Sequence, residues 1–323
     1  MTVSRKSISE DDLTDLNGKV AIVTGGNTGI GYATVQFLAR KGAKVYIAAR
    51  SGDKARDAIR EIEAELQKDA TGGNVGSVHW LPLNLSDPRL AKEAGTQFLR
   101  EEERLDILVS VYWNCNAHLH AISISHISHF VLTETLLPLL KSTAALDESD
   151  VRIVNVTSIA HKQANPDSFI GKESLNKQYG MSLTTYGSSK LANILHIKHL
   201  QARLNSESVK ITCLAVHPGP VLTVGAKGFL NAIPLFGWFL KTVVGPMVFV
   251  PWRKGAMTSA FAAAGKEVAA SRKSDNETQR KLYEGAYLTP VANIMEPSKY
   301  AMDERLQKEL YDTTVQILGE MNL

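Results

Sequence analysis

The chain has 323 residues, with 36 Lys+Arg against 33 Asp+Glu for a formal net charge of +3, and is 44% hydrophobic and 21% charged. These are ordinary proportions for a globular protein with a sizeable core, and so small a positive charge is no footprint for nucleic acid. Its 2 cysteines, Cys115 and Cys213, are too few for a disulfide framework or a zinc cluster and point to a reduced, cytoplasmic setting.

Residues 1–17 lack the apolar stretch of a secretory signal, and 1–16 read as a polar arm ahead of a single domain over 17–323. Val20–Thr24 is a β-branched run that passes at once into GGNTGIG, the pattern of a buried strand turning into a helix. That helix is expected from about Gly31 to Lys41, with Val35 and Leu38 facing a sheet and Gly42 closing it. Lys44–Ala49 reads as a second strand, Arg56–Leu66 as a charged amphipathic helix, and 69–76 as a Gly/Asn-rich loop. A third strand at Val78–Leu83, a helix at Ala91–Arg100 and a fourth strand at Asp106–Val109 follow. Val151–Val156 and Lys210–Val216 supply two more strands, separated by a long helix from about Thr185 to Leu204. The alternation predicts one α/β domain on a doubly wound parallel sheet, with right-handed crossovers placing helices on both faces.

One stretch raises a membrane question. Phe229–Trp252 is long enough to span a bilayer, but Pro234, Gly237, Lys241 and the Gly245-Pro246 pair interrupt it. It reads as an apolar lid over a substrate pocket, about 222–252, with peripheral membrane contact through 229–252 as the alternative.

Gly25, Asn27, Thr28, Gly29, Ile30 and Gly31 form a glycine-rich turn between the first strand and the first helix. Glycines permit positive φ and close backbone approach, and a helix N-terminus offers unpaired N–H groups to an anion, so the turn suits a dinucleotide pyrophosphate. The spacing is GxxxGxG, not the GxGxxG of the standard fingerprint. Arg50 ends the second strand where an NAD-binding chain usually carries an acid for the ribose 2′-OH. A guanidinium pairs instead with a 2′-phosphate, which favours NADP over NAD. Tyr186 and Lys190 lie four residues apart at the start of the long helix, on one face. A phenol titrates near 10, too high for proton transfer at neutral pH, and an adjacent ammonium favours the phenolate. Ser158, just past the fifth strand, is placed to hydrogen-bond a substrate oxygen.

In this order TGGNTGIG (24–31), IVNVTS (153–158), YGSSK (186–190) and HPGPVLT (217–223) resemble the short-chain dehydrogenases/reductases over about 17–320. The wide Ser158–Tyr186 separation, SIAHKQANPDSF and SKLANILHIKHLQARL are similar to the retinol-dehydrogenase-like and WW-domain-oxidoreductase-like group. The resemblance implies a Rossmann-type sheet and NADP-dependent interconversion of an alcohol and a ketone or aldehyde on a hydrophobic molecule. Terpenoids, polyketides, retinoids and steroid-like compounds are the implied substrates, including fungal secondary metabolism. By resemblance Ser158 orients the substrate oxygen, Tyr186 exchanges the proton, and Lys190 also holds the nicotinamide ribose. Val221 and Thr223 contact carboxamide and phosphates, and Asn84-Leu85 stands in for the family's Asp-Leu/Val beside adenine. Pairing of two copies through the long helices is likewise implied.

The pattern breaks after Asp106-Ile107-Leu108-Val109. The family continues with NNAG, whereas this chain reads Ser110-Val111-Tyr112-Trp113-Asn114-Cys115, and about eight residues are missing before Ser125-His126-Ile127-Ser128-His129-Phe130. The family's water-holding asparagine thus falls on Ser125. Three readings stand open: Ser125 holds that water, a local splicing or gene-model error has altered the segment, or the chain is a weakly active or non-catalytic nucleotide-binding relative. His118, His120, His126 and His129 lack a paired carboxylate or thiolate and read as helix-face and loop residues, not a metal site.

Overall fold

Strand β1 (Val20–Thr24) is buried along its whole length, as a β-branched run without polar alternation requires of a strand covered on both faces. The computed structural model describes residues 8–69, 75–111, 126–176, 182–219 and 252–323. In chain order β1 is followed by α1 (Gly29–Arg40), β2 (Lys44–Ala49), α2 (Gly52–Asp69), β3 (Ser77–Pro82), α3 (Pro88–Glu101) and β4 (Ile107–Ser110). After these come α4 (Ser128–Ala144), β5 (Val151–Val156), a 3-10 turn (Ile159–Gln163), α5 (Lys172–Asn176), α6 (Ser182–Ser206) and β6 (Ile211–Val216). The C-terminal part holds α7 (Trp252–Ala264), α8 (Lys266–Arg272), α9 (Glu277–Arg280), β7 (Tyr287–Thr289), β8 (Asn293–Met295), α10 (Lys299–Met302) and α11 (Glu304–Glu320).

The sheet runs β3-β2-β1-β4-β5-β6-β7-β8, parallel throughout except for the antiparallel β8. Alternate side chains of each strand feed two cores. Val20 and Ile22 point to the side covered by α3, α4, α6 and α11, whereas Ala21 and Val23 point to α1, α2 and α7. This is the expected doubly wound Rossmann-type α/β fold.

Several boundaries move outward from the sequence expectation. Helix α1 begins at Gly29, two residues earlier than expected, and α2 runs from Gly52, because charged helix formers extend it beyond its apolar stripe. Val35 and Leu38 are fully buried, and Gly42 closes α1 with φ +96°. β3 covers 77–82, not 78–83, so Leu83 lies just beyond the strand. The arm is more than a polar leader over residues 8–16. Leu13 is 1% exposed, bridges Gly265, and Thr14 donates its backbone N–H to the Ala264 carbonyl at 2.7 Å. The apolar stretch 229–251 lies outside the described residues, and among those described no helix is long and apolar enough to cross a membrane.

Candidate active site

The strand order reverses between β1 and β4, where the chain, having built outward to β3, returns to the other side of β1. Loops leaving the C-terminal ends of two such strands diverge and open a crevice, the usual place for a ligand in an open α/β sheet.

The glycine loop lines one side. Gly25 and Gly29 take φ +60° and +56°, a region open to glycine at no steric cost. A Cβ on Gly31 would stand 2.4 Å from the Gly25 carbonyl oxygen, so no side chain fits where the loop folds back on α1. Thr28, the residue before α1, is extended and offers no side-chain cap, so no side-chain oxygen of its own competes for the first N–H groups of the helix. Asn27 is half-buried, Thr28 exposed and Ile30 buried in the core. A tight glycine cradle at an uncapped helix N-terminus fits a dinucleotide pyrophosphate.

Arg50 stands exposed just past β2 on the same edge, and no described residue pairs with it. The half-buried Asn84 accepts the Ser86 N–H at Oδ1, 3.1 Å away. Half-buried Leu85 accepts the Ser128 hydroxyl at its backbone oxygen. A further device emerges only in three dimensions. The Thr24 hydroxyl accepts the Val111 N–H at 2.8 Å, donates to the Val111 carbonyl at 3.0 Å and sits 3.0 Å from His129 Nε2. With its one proton spent on Val111, the hydroxyl takes an Nε2–H from His129. The clamp ties the end of β4 to the start of the glycine loop, and His129 is a structural partner where the sequence offered only a helix-face residue.

Ser158, Tyr186 and Lys190 lie where β5 meets α6. Lys190 is 1% exposed, donates from Nζ to the Val156 carbonyl at 3.4 Å, and holds Nζ 5.5 Å from the Tyr186 ring centroid. Asn193, one turn further along the same face, donates to the same carbonyl at 3.1 Å, a partner the sequence did not signal. Thr157 donates its hydroxyl to the Lys190 carbonyl at 2.7 Å, fixing strand end to helix. Ser158 caps the 3-10 turn, and its Oγ accepts the Ala160 N–H at 3.2 Å, leaving the hydroxyl proton for another oxygen. Gly187 explains how close these elements come, since a Cβ there would lie 2.4 Å from the Ala160 carbonyl oxygen.

Two neutral histidines flank the group. Burial pushes His161 below its ordinary range, with Lys162 adding to the effect against the Ser158 carbonyl. Burial, with His161 nearby, pushes His217 down to about 4, and its Nδ1 accepts the Gly219 N–H at 3.3 Å. Val221 and Thr223, like Ser125, lie outside the described residues. Among the described residues no group of three acidic, histidine or cysteine side chains could hold a metal.

Ser158, Tyr186 and Lys190 therefore converge, while Gly25, Gly29, Gly31, Arg50 and Asn84 border the same C-terminal edge of the sheet. Comparison with known proteins agrees in extent as well as in motif. The sequence pattern of the short chain dehydrogenases matches residues 19–170. A short-chain dehydrogenase/reductase of Armillaria gallica is 38% identical over 323 residues, covering 96% of each chain. Retinol dehydrogenase 12 of Mus musculus is 31% identical and covers 94% of this chain and 87% of its own. The Pseudomonas aeruginosa RhlG/NADP complex superposes with a TM-score of 0.62 at 23% identity, covering 85% of this chain and 95% of that one, a likeness of fold. With glycine cradle, converged serine, tyrosine and lysine, and relatives aligned nearly end to end, the chain belongs to the short-chain dehydrogenase/reductase family of oxidoreductases.

Proposed function

We propose that this protein interconverts an alcohol and a ketone or aldehyde on a hydrophobic small molecule, using NADP in preference to NAD. The observation that carries the reading is the buried Lys190 ammonium of α6, 5.5 Å from the Tyr186 ring and bonded to the end of β5 at Val156, two residues before Ser158. Bound nicotinamide dinucleotide supplies or accepts the hydride. Ser158 donates its hydroxyl proton to the substrate oxygen and orients it. Tyr186 gives its phenolic proton to that oxygen as a carbonyl is reduced, or takes one as an alcohol is oxidised. Lys190, held off solvent and anchored on Val156, stabilises the phenolate that proton loss leaves. The N-terminus of α1 receives the pyrophosphate, and Arg50 meets a 2′-phosphate.

The substrate class follows from the interrupted apolar segment 222–252, taken as a lid of the single domain 17–323, and from the retinol dehydrogenase among the relatives. A terpenoid, polyketide, retinoid or steroid-like molecule in secondary metabolism fits, in a cytoplasmic protein with membrane contact at most peripheral. Pairing through the long helices would have to use a face of α6 that α11 already partly covers, since Arg203 and Tyr311 join the two at 3.3 Å. Mass in solution against the 35.3 kDa chain decides between monomer and dimer.

Tyr186→Phe tests the central assignment. It should cut turnover of lipophilic ketones and aldehydes by roughly 10²–10⁴-fold, the usual contribution of a positioned acid–base, while NADPH fluorescence titration stays unchanged. Retained turnover would sink the assignment. NADPH binding with no turnover by the unaltered protein would favour the non-catalytic relative instead.

A further inference from the structure

The 3-10 turn that carries Ser158 has two neighbours that leave it little freedom. On one side α6 presses against it at Gly187, where there is no room for a Cβ. On the other stands His161, fully buried, with both ring nitrogens committed. Its Nδ1 lies 2.8 Å from the Ser158 carbonyl oxygen, which can only accept, so Nδ1 carries the proton. Its Nε2 accepts the Ser298 backbone N–H at 3.0 Å, from the segment leading into α10. The Ser158 carbonyl also accepts the His161 backbone N–H at 3.1 Å, so one residue fills both lone pairs of that oxygen. The ring edge packs on Tyr287 of β7, centroids 5.1 Å apart at 72°.

We propose that His161 is a positioning residue for Ser158. As a neutral Nδ1–H imidazole it clamps the serine peptide plane and ties the turn to the C-terminal segment at Ser298, so that the serine hydroxyl is held toward the substrate oxygen. The inference rests on the catalytic reading of Ser158 and Tyr186. The ring cannot take a second proton without losing its acceptor toward Ser298. Burial opposes that proton first, and the Lys162 ammonium adds to it. A conformational lock of this kind costs turnover when it is removed, because a misplaced hydrogen-bond donor is felt chiefly in the transition state.

Three variants separate the two ends of the clamp. His161→Phe removes both bonds. His161→Asn keeps a short N–H donor at the position of Nδ1. Ser298→Pro removes the N–H that faces Nε2, together with the serine hydroxyl, at a residue whose φ of −64° already suits proline. Measured with NADPH and a panel of lipophilic ketones and aldehydes, His161→Phe should lower kcat about 10–100-fold with the NADPH dissociation constant within twofold. His161→Asn should recover part of that loss, and Ser298→Pro should fall between Asn and the unaltered protein. Thermal melting identifies any variant that fails to fold, and the mildest one, Ser298→Pro, then carries the comparison. Full kcat in a folded His161→Phe would overturn the proposal.

A second readout does not depend on activity. Imidazole nitrogen NMR of the full chain should show His161 as the neutral Nδ1–H tautomer at pH 6, with slowed exchange of the His161 and Ser298 amides that disappears in His161→Phe. An Nε2–H tautomer, or a ring charged at pH 6, would overturn the clamp. If the unaltered protein reduced no carbonyl while these signals stood, the catalytic reading would fail and the clamp would survive.

Discussion

Arg50 is an exposed guanidinium just past the end of β2, with no partner among the described residues, and on the proposed function it is the group that selects NADP. A hydrogen bond to a charged group contributes about 1.5–3 kcal/mol, and each 1.4 kcal/mol is a factor of ten in affinity. Arg50→Asp should therefore weaken NADPH binding about 10–100-fold and leave NADH binding near its starting value, both read by fluorescence titration. An unchanged preference would remove Arg50 from the 2′-phosphate site. On the same reading Asn84 would stand beside adenine, where its amide adds donors that a carboxylate lacks, while its oxygen already accepts the Ser86 N–H.

At the scale of elements, α7 shows how a buried charge holds a helix to the sheet. Arg152 on β5 is 1% exposed, and its guanidinium donates to the carbonyls of Ala262 at 3.1 Å, in the last turn of α7, and of Gly265 at 3.0 Å, the residue that joins α7 to α8. Asp150 completes the arrangement, ion-paired with Arg152 and with Arg272. Burial works against the Asp150 charge, but the two guanidinium groups outweigh it and bring the carboxyl down to about 2. Arg152→Met keeps much of the volume while removing every one of these bonds. Breaking one side of a buried pair costs about 3–5 kcal/mol, so the variant should show a clearly lower urea midpoint with an unchanged slope. A loss under 1 kcal/mol would mean that α7 is held by its apolar face alone. The same contacts pin the N-terminal segment, because Thr14 and Leu13 meet the chain at Ala264 and Gly265.

For the molecule as a whole, acid sensitivity follows from what the two cores enclose. On the α4, α6 and α11 side, His126 bonds the Thr314 hydroxyl at 3.1 Å and stands 5.5 Å from the ring of His196, which neighbours Phe130. Burial, with His129 nearby, pushes His126 down to about 3, and burial with His126 and Arg203 pushes His196 well below its ordinary value. A histidine held neutral in the fold binds its proton more readily when unfolded. Its stabilisation is therefore complete above pH 6.5 and drains away as pH falls toward the folded value, at about 1.4 kcal/mol per unit per histidine. Asp150 acts lower, losing its contribution only from about 4 down to about 2. The thermal midpoint should thus fall steadily between pH 6.5 and 4.5, and His126→Phe should flatten that slope even if it lowers the plateau. A midpoint constant over that interval would show that these rings do not govern acid unfolding.

What could be read along the chain was whatever rests on local spacing. Strands β1, β2 and β5 were legible because fully buried strands show as unbroken β-branched and apolar runs, and Tyr186 with Lys190 because a four-residue step makes one helical face. Gly31 announced its own requirement, since the lack of a Cβ is a property of the residue. The C-terminal strands β7 and β8 are three residues each, too short to show a period, and they exist because β6 offers an edge. His161, Asn193, Arg152 and the Thr24–Val111–His129 clamp join residues tens of positions apart, and no spacing encodes which carbonyl or hydroxyl a side chain will meet. The sequence by itself determined the alternation of elements, the glycine cradle and the pairing of a phenol with an ammonium on one helical face, for these follow from local geometry and residue type. Only the tertiary structure decided how firmly those groups are held, because orientation comes from hydrogen bonds closed by the packing of distant segments.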